Sequence, residues 1–183
     1  MPNKITDLDI GPAKVEWNEK DLGLTFGNVT VRFGMTTAEL RADQLGTQAV
    51  DEVITGATCE VEMSLAEHNF LTYAVATKGT TQTEGGNEIT GDESPWLVKA
   101  TTQVGRRLRS YAKQLKLTLY KEGSPSSDVQ DVVIFPLAYP LRNWEVVYET
   151  ETQRVIRVTF RCFQDDTGVL AYIGKQSEET NVA

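Results

Sequence analysis

Residues 57–65 read ATCEVEMSL, and this stretch decides the fold class. Its odd-numbered positions are all apolar, whereas its even-numbered positions, which include Glu60 and Glu62, are polar. Successive side chains of a β-strand point to opposite faces, so this alternation predicts a strand with one face in a core and the other in water or a lumen. Residues 113–120 and 154–163 repeat the pattern. The chain is therefore predicted to be mainly β.

Further candidate strands are short and closely spaced along the chain. They lie at 13–17, 22–26, 29–33, 38–42, 50–54, 129–135, 144–148 and 170–173. Turns between the early strands are predicted at Gly23, Gly27, Gly34, Gly46 and Gly56. Because many short strands occur without strand–helix alternation, the sequence predicts two packed antiparallel sheets in a sandwich or barrel-like arrangement.

Two segments depart from the strand pattern. Ser64 and Glu67 match a capping box and predict one short flanking α-helix that ends over residues 77–79. Residues 78–102 are rich in Gly, Thr and acidic side chains, which predicts a long loop or a hairpin arm that turns at Gly85 and Gly86. We expect one domain over 1–183, with an N-terminal arm over about 1–12 and a flexible tail over about 175–183.

The charge is acidic overall and unevenly distributed. Asp and Glu number 26 against 18 Lys and Arg, so the net charge is −8. Residues 99–121 nevertheless carry seven basic side chains and no acidic one, whereas residues 1–79 carry 12 acidic and six basic ones. An acidic protein repels a polyphosphate, so tight DNA binding is disfavoured as the main task. The two segments are electrostatically complementary to each other.

The sequence offers little for catalysis. His68 is the single histidine, and no nucleophile-elbow, phosphate-loop or close His/Cys metal-ligand pattern accompanies it. Cys59 and Cys162 allow a disulfide, but a lone pair in a chain without a secretory signal is predicted to be two buried thiols. We therefore expect no enzyme activity, no cofactor and no bound metal. No stretch predicts a membrane span or membrane binding.

Several short motifs follow one another in a fixed order. They are DLGLTFG at 21–27, DQ at 43–44, VDEVITG at 50–56, LAE at 65–67, VG at 104–105, AK at 112–113, LKL at 115–117, FPLA at 135–138, RVTF at 157–160, DD at 165–166 and YIG at 172–174. Together they are spread over most of the chain, and in this order they resemble the phage major tail tube family of siphophage type. That family is related to the inner tubes of contractile injection systems.

The resemblance implies a virion structural protein that is assembled in the host cytoplasm. It implies rings of six subunits that stack into a hollow tail tube around a tape-measure protein. A tail terminator and distal tail or baseplate proteins are then expected at the tube ends. DNA is expected only in transit, during ejection.

The residues themselves suggest where such a subunit meets its neighbours. Trp96 on the otherwise polar stretch 78–102 is predicted to anchor on a neighbouring surface. The turn residues Gly85 and Gly86 are predicted to lie at the same subunit interface. The basic cluster is predicted to contact an acidic neighbour through Arg106, Arg107 and Arg109. Glu60 and Glu62 on the polar strand face are predicted lumen residues, since an acidic wall would let DNA slide.

Other functions remain as alternatives. The same fold is expected for the inner tube of a contractile tail, a bacteriocin or a bacterial secretion system, so the fold does not choose among them. A β-sandwich module that binds carbohydrate or a receptor is the alternative from another class, although it would need a cluster of exposed aromatic side chains. A hydrolase is a third alternative, weakened by the single histidine at His68.

Overall fold

The computed structural model of the chain describes residues 11–41, 48–67, 104–105, 107–141, 145–146 and 154–174. Ten strands lie within these ranges: β1 Ala13–Trp17, β2 Lys20–Asp21, β3 Thr30–Arg41, β4 Ala49–Leu65, β5 Lys113–Lys121, β6 Ser124–Pro125, β7 Val132–Pro140, β8 Glu145–Val146, β9 Ile156–Phe163 and β10 Tyr172–Ile173. Two short 3-10 helices, Leu108–Tyr111 and Val129–Asp131, precede β5 and β7. The prediction of a mainly β chain is confirmed.

The described strands form one antiparallel sheet. Its order is β2-β1-β5-β7-β9-β4-β3, with β6 added to β5, β10 to β7 and β8 to β9. The link between the β5 side and the β4 side is β7, which pairs with β5 and also, from Leu137 to Pro140, with β9. Strand pairing is thus continuous from β2 at one edge of the sheet to β3 at the other, whereas the sequence predicted two packed sheets.

One face of this sheet carries the hydrophobic core. The alternation in 57–65 is confirmed, because its apolar side chains Cys59, Val61, Met63 and Leu65 are all buried. Trp17 from β1 lies among them, and its indole N–H donates a hydrogen bond of 3.1 Å to the carbonyl of Ala138. The buried side chains of β5, β7 and β9 complete the same cluster, namely Leu115, Leu117, Phe135, Ile156, Val158, Phe160 and Cys162.

The early strands are longer than the sequence predicted, and two of the predicted turns are wrong. Gly34 and Gly56 lie inside β3 and β4, so the predicted strands at 29–33 and 38–42 are one element, as are those at 50–54 and 57–65. Gly34 pairs with Thr58, and a Cβ on Gly34 would lie only 2.7 Å from the Thr58 hydroxyl oxygen. Here glycine permits the close approach of a neighbour rather than a change of chain direction.

The predicted helix start at Ser64 is also wrong. β4 runs through Ser64, whose carbonyl accepts a hydrogen bond of 2.9 Å from the Phe26 N–H. The Glu67 carboxylate accepts a hydrogen bond of 3.1 Å from the Leu24 N–H. Ser64 and Glu67 therefore both bond to the segment 24–26, which is distant in sequence, and a local sequence pattern cannot reveal such a partner. The remainder of the predicted helix, from 68 onwards, lies outside the described residues.

The predicted strand at 129–135 is shorter at its C-terminal end than β7. This strand continues through Pro136 to Pro140, although proline cannot donate to a ladder. The pairing with β5 is irregular at this place, since Ala138 faces Lys113 and Phe135 faces Leu115. A bulge of this kind accommodates a residue that lacks an N–H. The first three residues of the predicted strand at 129–135 form the 3-10 helix instead.

Candidate assembly surface

The hairpin of β3 and β4 extends past the rest of the sheet. The pairing of β4 with β9 ends at Cys59, which lies opposite Cys162. From residue 58 back to 49, β4 pairs only with β3 among the described residues. We call this extension the arm and define it as residues 33–41 together with 49–58. Its outer edges present backbone N–H and C=O groups of the kind that pair with another strand.

The arm exposes large apolar side chains on one of its faces. The register places Phe33 opposite Cys59, Met35 opposite Ala57 and Thr37 opposite Ile54. This face continues the face of the sheet that bears the core, yet Phe33 is 59%, Met35 65% and Ile54 62% exposed. The apolar stripe of β4 therefore continues beyond the elements that cover it.

The opposite face of the arm is apolar as well, nearer its tip. Ala38 lies opposite Val53, and Leu40 lies opposite Asp51. Leu40 and Val53 are each about half exposed, at 49% and 46%. A strand pair that is apolar on both faces is typical of a sheet that is covered from both sides.

A register shift between Thr36 and Thr37 creates this two-sided pattern. Gly56 lies opposite Thr36 and Ile54 lies opposite Thr37, so Thr55 is the extra residue of a bulge. The Thr55 hydroxyl donates a hydrogen bond of 3.1 Å to the Thr36 carbonyl. A one-residue shift exchanges the two faces of a strand, which moves Ile54 to the side of Met35.

Sequence reasoning missed the arm as a functional element. The apolar residues lie in the predicted strands at 29–33, 38–42 and 50–54, but Gly34 and Gly56 predict turns between those strands. One pattern indicates that the strand continues through Gly34: Phe33 and Met35 are two residues apart, which keeps the period of two of a strand.

The predicted lumen residues lie on the polar face of the sheet, and each forms an ion pair. The Glu60 carboxylate accepts a hydrogen bond of 2.6 Å from the Arg161 guanidinium. Glu62 accepts one of 2.6 Å from Arg32 on β3. Carboxylates and guanidinium groups therefore alternate across β3, β4 and β9, and their charges largely cancel. The assignment of this face to a lumen stays a prediction.

The basic cluster is placed only in part. The Arg109 guanidinium donates to the Gln164 carbonyl at 3.2 Å and to the Asp166 carboxylate at 2.7 Å, both in its own chain. Arg107 is exposed just before the 3-10 helix. The other predicted contact residues, Gly85, Gly86, Trp96 and Arg106, lie outside the described residues, as do His68, the stretch 78–102 and residues 1–10 and 175–183.

A compact turn after β9 supports the Arg109 contact. The Asp165 carboxylate accepts hydrogen bonds from the Thr167 hydroxyl, the Thr167 and Val169 N–H groups and the Tyr172 hydroxyl, at 2.7 to 2.9 Å. These donors, chiefly the Thr167 hydroxyl and the Val169 N–H, lower the pKa of Asp165 to about 2. Asp165 is thus the structural centre of the turn.

Cys59 and Cys162 are two free, buried thiols on adjacent strands, as predicted. Each Cys is directly opposite the other in the pairing of β4 and β9. The hydrogen bond with Cys59 and burial both raise the pKa of the Cys162 thiol. A thiol with a raised pKa inside a core has little thiolate and reacts slowly.

The described part of the chain holds no group of three or more His, Cys, Asp or Glu side chains placed to bind a metal ion. Among the same residues, no helix has the length and apolarity required to cross a membrane. No protein-family model and no curated protein matches this sequence. The function of the chain is therefore inferred from its geometry and from the resemblance of its motifs.

Proposed function

We propose that this chain is a structural subunit of a phage-type tail tube. Six subunits assemble into a ring, and the rings stack into a hollow tube. The observation that carries the proposal is the arm, which is apolar on both faces and pairs with no third described strand. An isolated two-stranded hairpin is at best marginally stable in water, and exposed apolar clusters of this kind mark interaction sites. Burial against other copies in a closed ring covers both faces and shields the strand edges.

The proposal includes a finer view of the fold, in which the sheet curls into a barrel-like body with two packed layers. β5 and β7 separate β1 from β9 in the sheet order, so a flat sheet would hold the two strands roughly 14 Å apart. The Trp17 and Phe160 ring centroids are nevertheless 6.0 Å apart. In addition, Thr25, next to the β1–β2 hairpin, bridges to Leu65 of β4. Both contacts favour strong curvature.

In the proposed tube the polar face with Glu60 and Glu62 lines the lumen. The pairing of Glu60 with Arg161 and of Glu62 with Arg32 leaves no run of unpaired cations to bind phosphate among the described residues of that face. DNA in transit then meets a wall of balanced charge, and a tape-measure protein fills the lumen before ejection. The family resemblance implies these partners, and it also implies a terminator and distal tail or baseplate proteins at the tube ends.

Assembly of the purified chain tests the proposal. We expect negative-stain microscopy to show rings or tubes and sedimentation to show a concentration-dependent shift to large species. The paired change Phe33→Ser with Met35→Ser should abolish them without unfolding the subunit, because both side chains are more than half exposed. Ile173→Ser is the matched control, since Ile173 is 76% exposed but lies away from the arm. A chain that stays monomeric at high concentration, even with its tail partners, overturns the proposal.

The lumen assignment has its own experiment. Glu60→Lys combined with Glu62→Lys would place four cations side by side on the polar face, with Arg32 and Arg161. We expect intact tubes that eject DNA more slowly, because each phosphate is now attracted to the wall. Normal ejection through tubes that carry both changes would remove these residues from the lumen.

A further inference from the structure

The arm and the basic cluster meet the sheet at the same level along the strands. Cross-strand pairs connect a row of residues over the whole sheet, in the order Lys113, Ala138, Cys162, Cys59 and Phe33. The arm begins at the Phe33 end of this row and extends beyond it. At the other end of the row, the 3-10 helix Leu108–Tyr111 leads into Lys113. The contacts of Arg109 with Gln164 and Asp166, just past the end of β9, hold that helix at the level from which the arm emerges.

The distal part of the arm carries acidic side chains beside its apolar ones. Asp51 and Glu52 are exposed and adjacent on β4. Asp51 lies opposite Leu40 of β3, and Glu52 precedes Val53 along β4. The Asp51 carboxylate accepts only the Glu52 N–H among the described residues, and neither carboxylate forms an ion pair within that set. The arm therefore presents apolar surface together with uncompensated negative charge.

The region around the 3-10 helix has the complementary composition. We call it the basic corner and define it as Val104, Arg107, Tyr111 and Lys113. Arg107 and Lys113 are exposed, and neither forms an ion pair with another described residue. Val104 is fully exposed at 102%, and Tyr111 is 46% exposed. The basic corner therefore presents apolar surface together with uncompensated positive charge.

We infer that the arm of one copy docks on the basic corner of a neighbouring copy, with Asp51 and Glu52 facing Arg107 and Lys113. This inference rests on the proposed function, because it names a contact that joins the subunits of the tube. Two different, complementary surfaces of one chain make a head-to-tail contact, and such contacts form a ring when the rotation closes. The register places Asp51 and Glu52 near the tip of the arm, far along the strands from the level of Lys113, so the two surfaces meet between copies rather than within one subunit.

The two parts of this contact have different tasks. The exposed apolar side chains of the arm and of the basic corner provide most of the affinity, because apolar area leaves water. The opposite charges set the register and exclude other pairings, and they add little affinity of their own. Register matters here because a strand that slips by one residue would turn the wrong face of the arm to its neighbour.

Charge reversal and rescue test the inference. One variant combines Asp51→Lys with Glu52→Lys, a second combines Arg107→Glu with Lys113→Glu, and a third carries all four changes. Glu19→Lys with Glu122→Lys is the control for charge change, because both residues are exposed and lie outside the arm and the basic corner. Circular dichroism and thermal melting check that each subunit is folded.

We expect each two-residue reversal to weaken ring formation at least tenfold in sedimentation experiments at low salt. The four-residue variant should recover to within about threefold of the original chain, since the charges are again opposite, and the control should assemble normally. Asp51 and Glu52 point to opposite faces of β4, so single reversals then show which face docks. Normal assembly of either two-residue variant, or failure of the four-residue variant to recover, overturns the inference. Failure of the unaltered chain to assemble would instead remove the proposed function.

Discussion

The two halves of β4 differ in their surroundings although they form one continuous strand. In residues 59–65 the apolar positions Cys59, Val61, Met63 and Leu65 are buried against β9 and the core. In residues 49–58 the apolar positions Val50, Val53 and Ile54 are 57%, 46% and 62% exposed. Both halves pair with β3, so the difference comes from β9, which pairs only with residues 59–65. The apolar side chains of the core half are covered within one chain, whereas those of the arm half are exposed.

The largest expected contrast between the two halves is in backbone opening. Amides of residues 59–65 should exchange only through global unfolding, whereas those of the arm should exchange through local fraying in the monomer. With a global stability of about 5–15 kcal/mol, the rates should differ by a factor of at least roughly 1,000. Hydrogen exchange followed by mass spectrometry measures this. Equal protection of both halves in the monomer would show that the arm is already covered.

Removal of a phenyl ring from each half gives the next largest contrast. Phe160→Ala should lower the free energy of unfolding by about 3–5 kcal/mol, because Phe160 is fully buried beside Trp17. Phe33→Ala should lower it by less than about 1 kcal/mol in the monomer, since that ring is 59% exposed. Chemical denaturation provides both values. Similar losses for the two variants would contradict the division into core and arm.

The turn centred on Asp165 should stabilise the fold only while the Asp165 carboxylate is ionised. Asp165→Ala should cost about 1–2 kcal/mol at pH 7, because four hydrogen bonds lose their acceptor. The folded pKa of about 2 lies below the ordinary 3.8. The contribution of Asp165 is therefore fully present above pH 4 and falls as the pH drops toward 2.

Denaturant titrations from pH 7 to pH 2 measure the Asp165 effect. The original chain and the variant should converge in stability at the acidic end. Asp166→Ala is the matched control, because Asp166 is 96% exposed and contributes one ion pair with Arg109. A gap between the original chain and Asp165→Ala that is unchanged at pH 2 would refute the role of the ionised carboxylate.

The smallest effect is expected for the ion pairs of the polar face. Glu60→Gln should change the free energy of unfolding by no more than about 1 kcal/mol, since Arg161 is half exposed and surface pairs contribute little. Glu62→Gln should behave alike, and both effects should shrink in high salt. Thermal melting at two salt concentrations measures them. A loss of several kcal/mol for either variant would show that this face is covered within the monomer.

Much of the local structure could be predicted from the sequence. The period of two in 57–65, 113–120 and 154–163 identified the buried side of β4, β5 and β9, since alternation depends only on the pleat of a strand. The buried thiols Cys59 and Cys162 followed from their positions on those faces. The turns at Gly34 and Gly56 and the cap at Ser64 were wrong, because their hydrogen bonds come from segments far away in the chain.

The candidate site could be predicted only in its composition. The acidic and basic segments and the polar positions of Glu60 and Glu62 were visible in the sequence. The partners of these charges were not, because Arg161 and Arg32 reach Glu60 and Glu62 only through cross-strand register. The arm was hidden for the same reason, since exposure of Phe33 and Met35 depends on where β9 ends.

The sequence by itself determined that this chain is mainly β, which side of its main strands is apolar, and how its charge divides. These properties depend on near neighbours in the chain, and a window of a few residues contains them. Only the tertiary structure decided the strand order, the bulge that moves Ile54 to the face of Met35, and the point at which β4 loses its second neighbour. Those features depend on which distant segments pair, and the pairing is fixed by burial of the whole core at once.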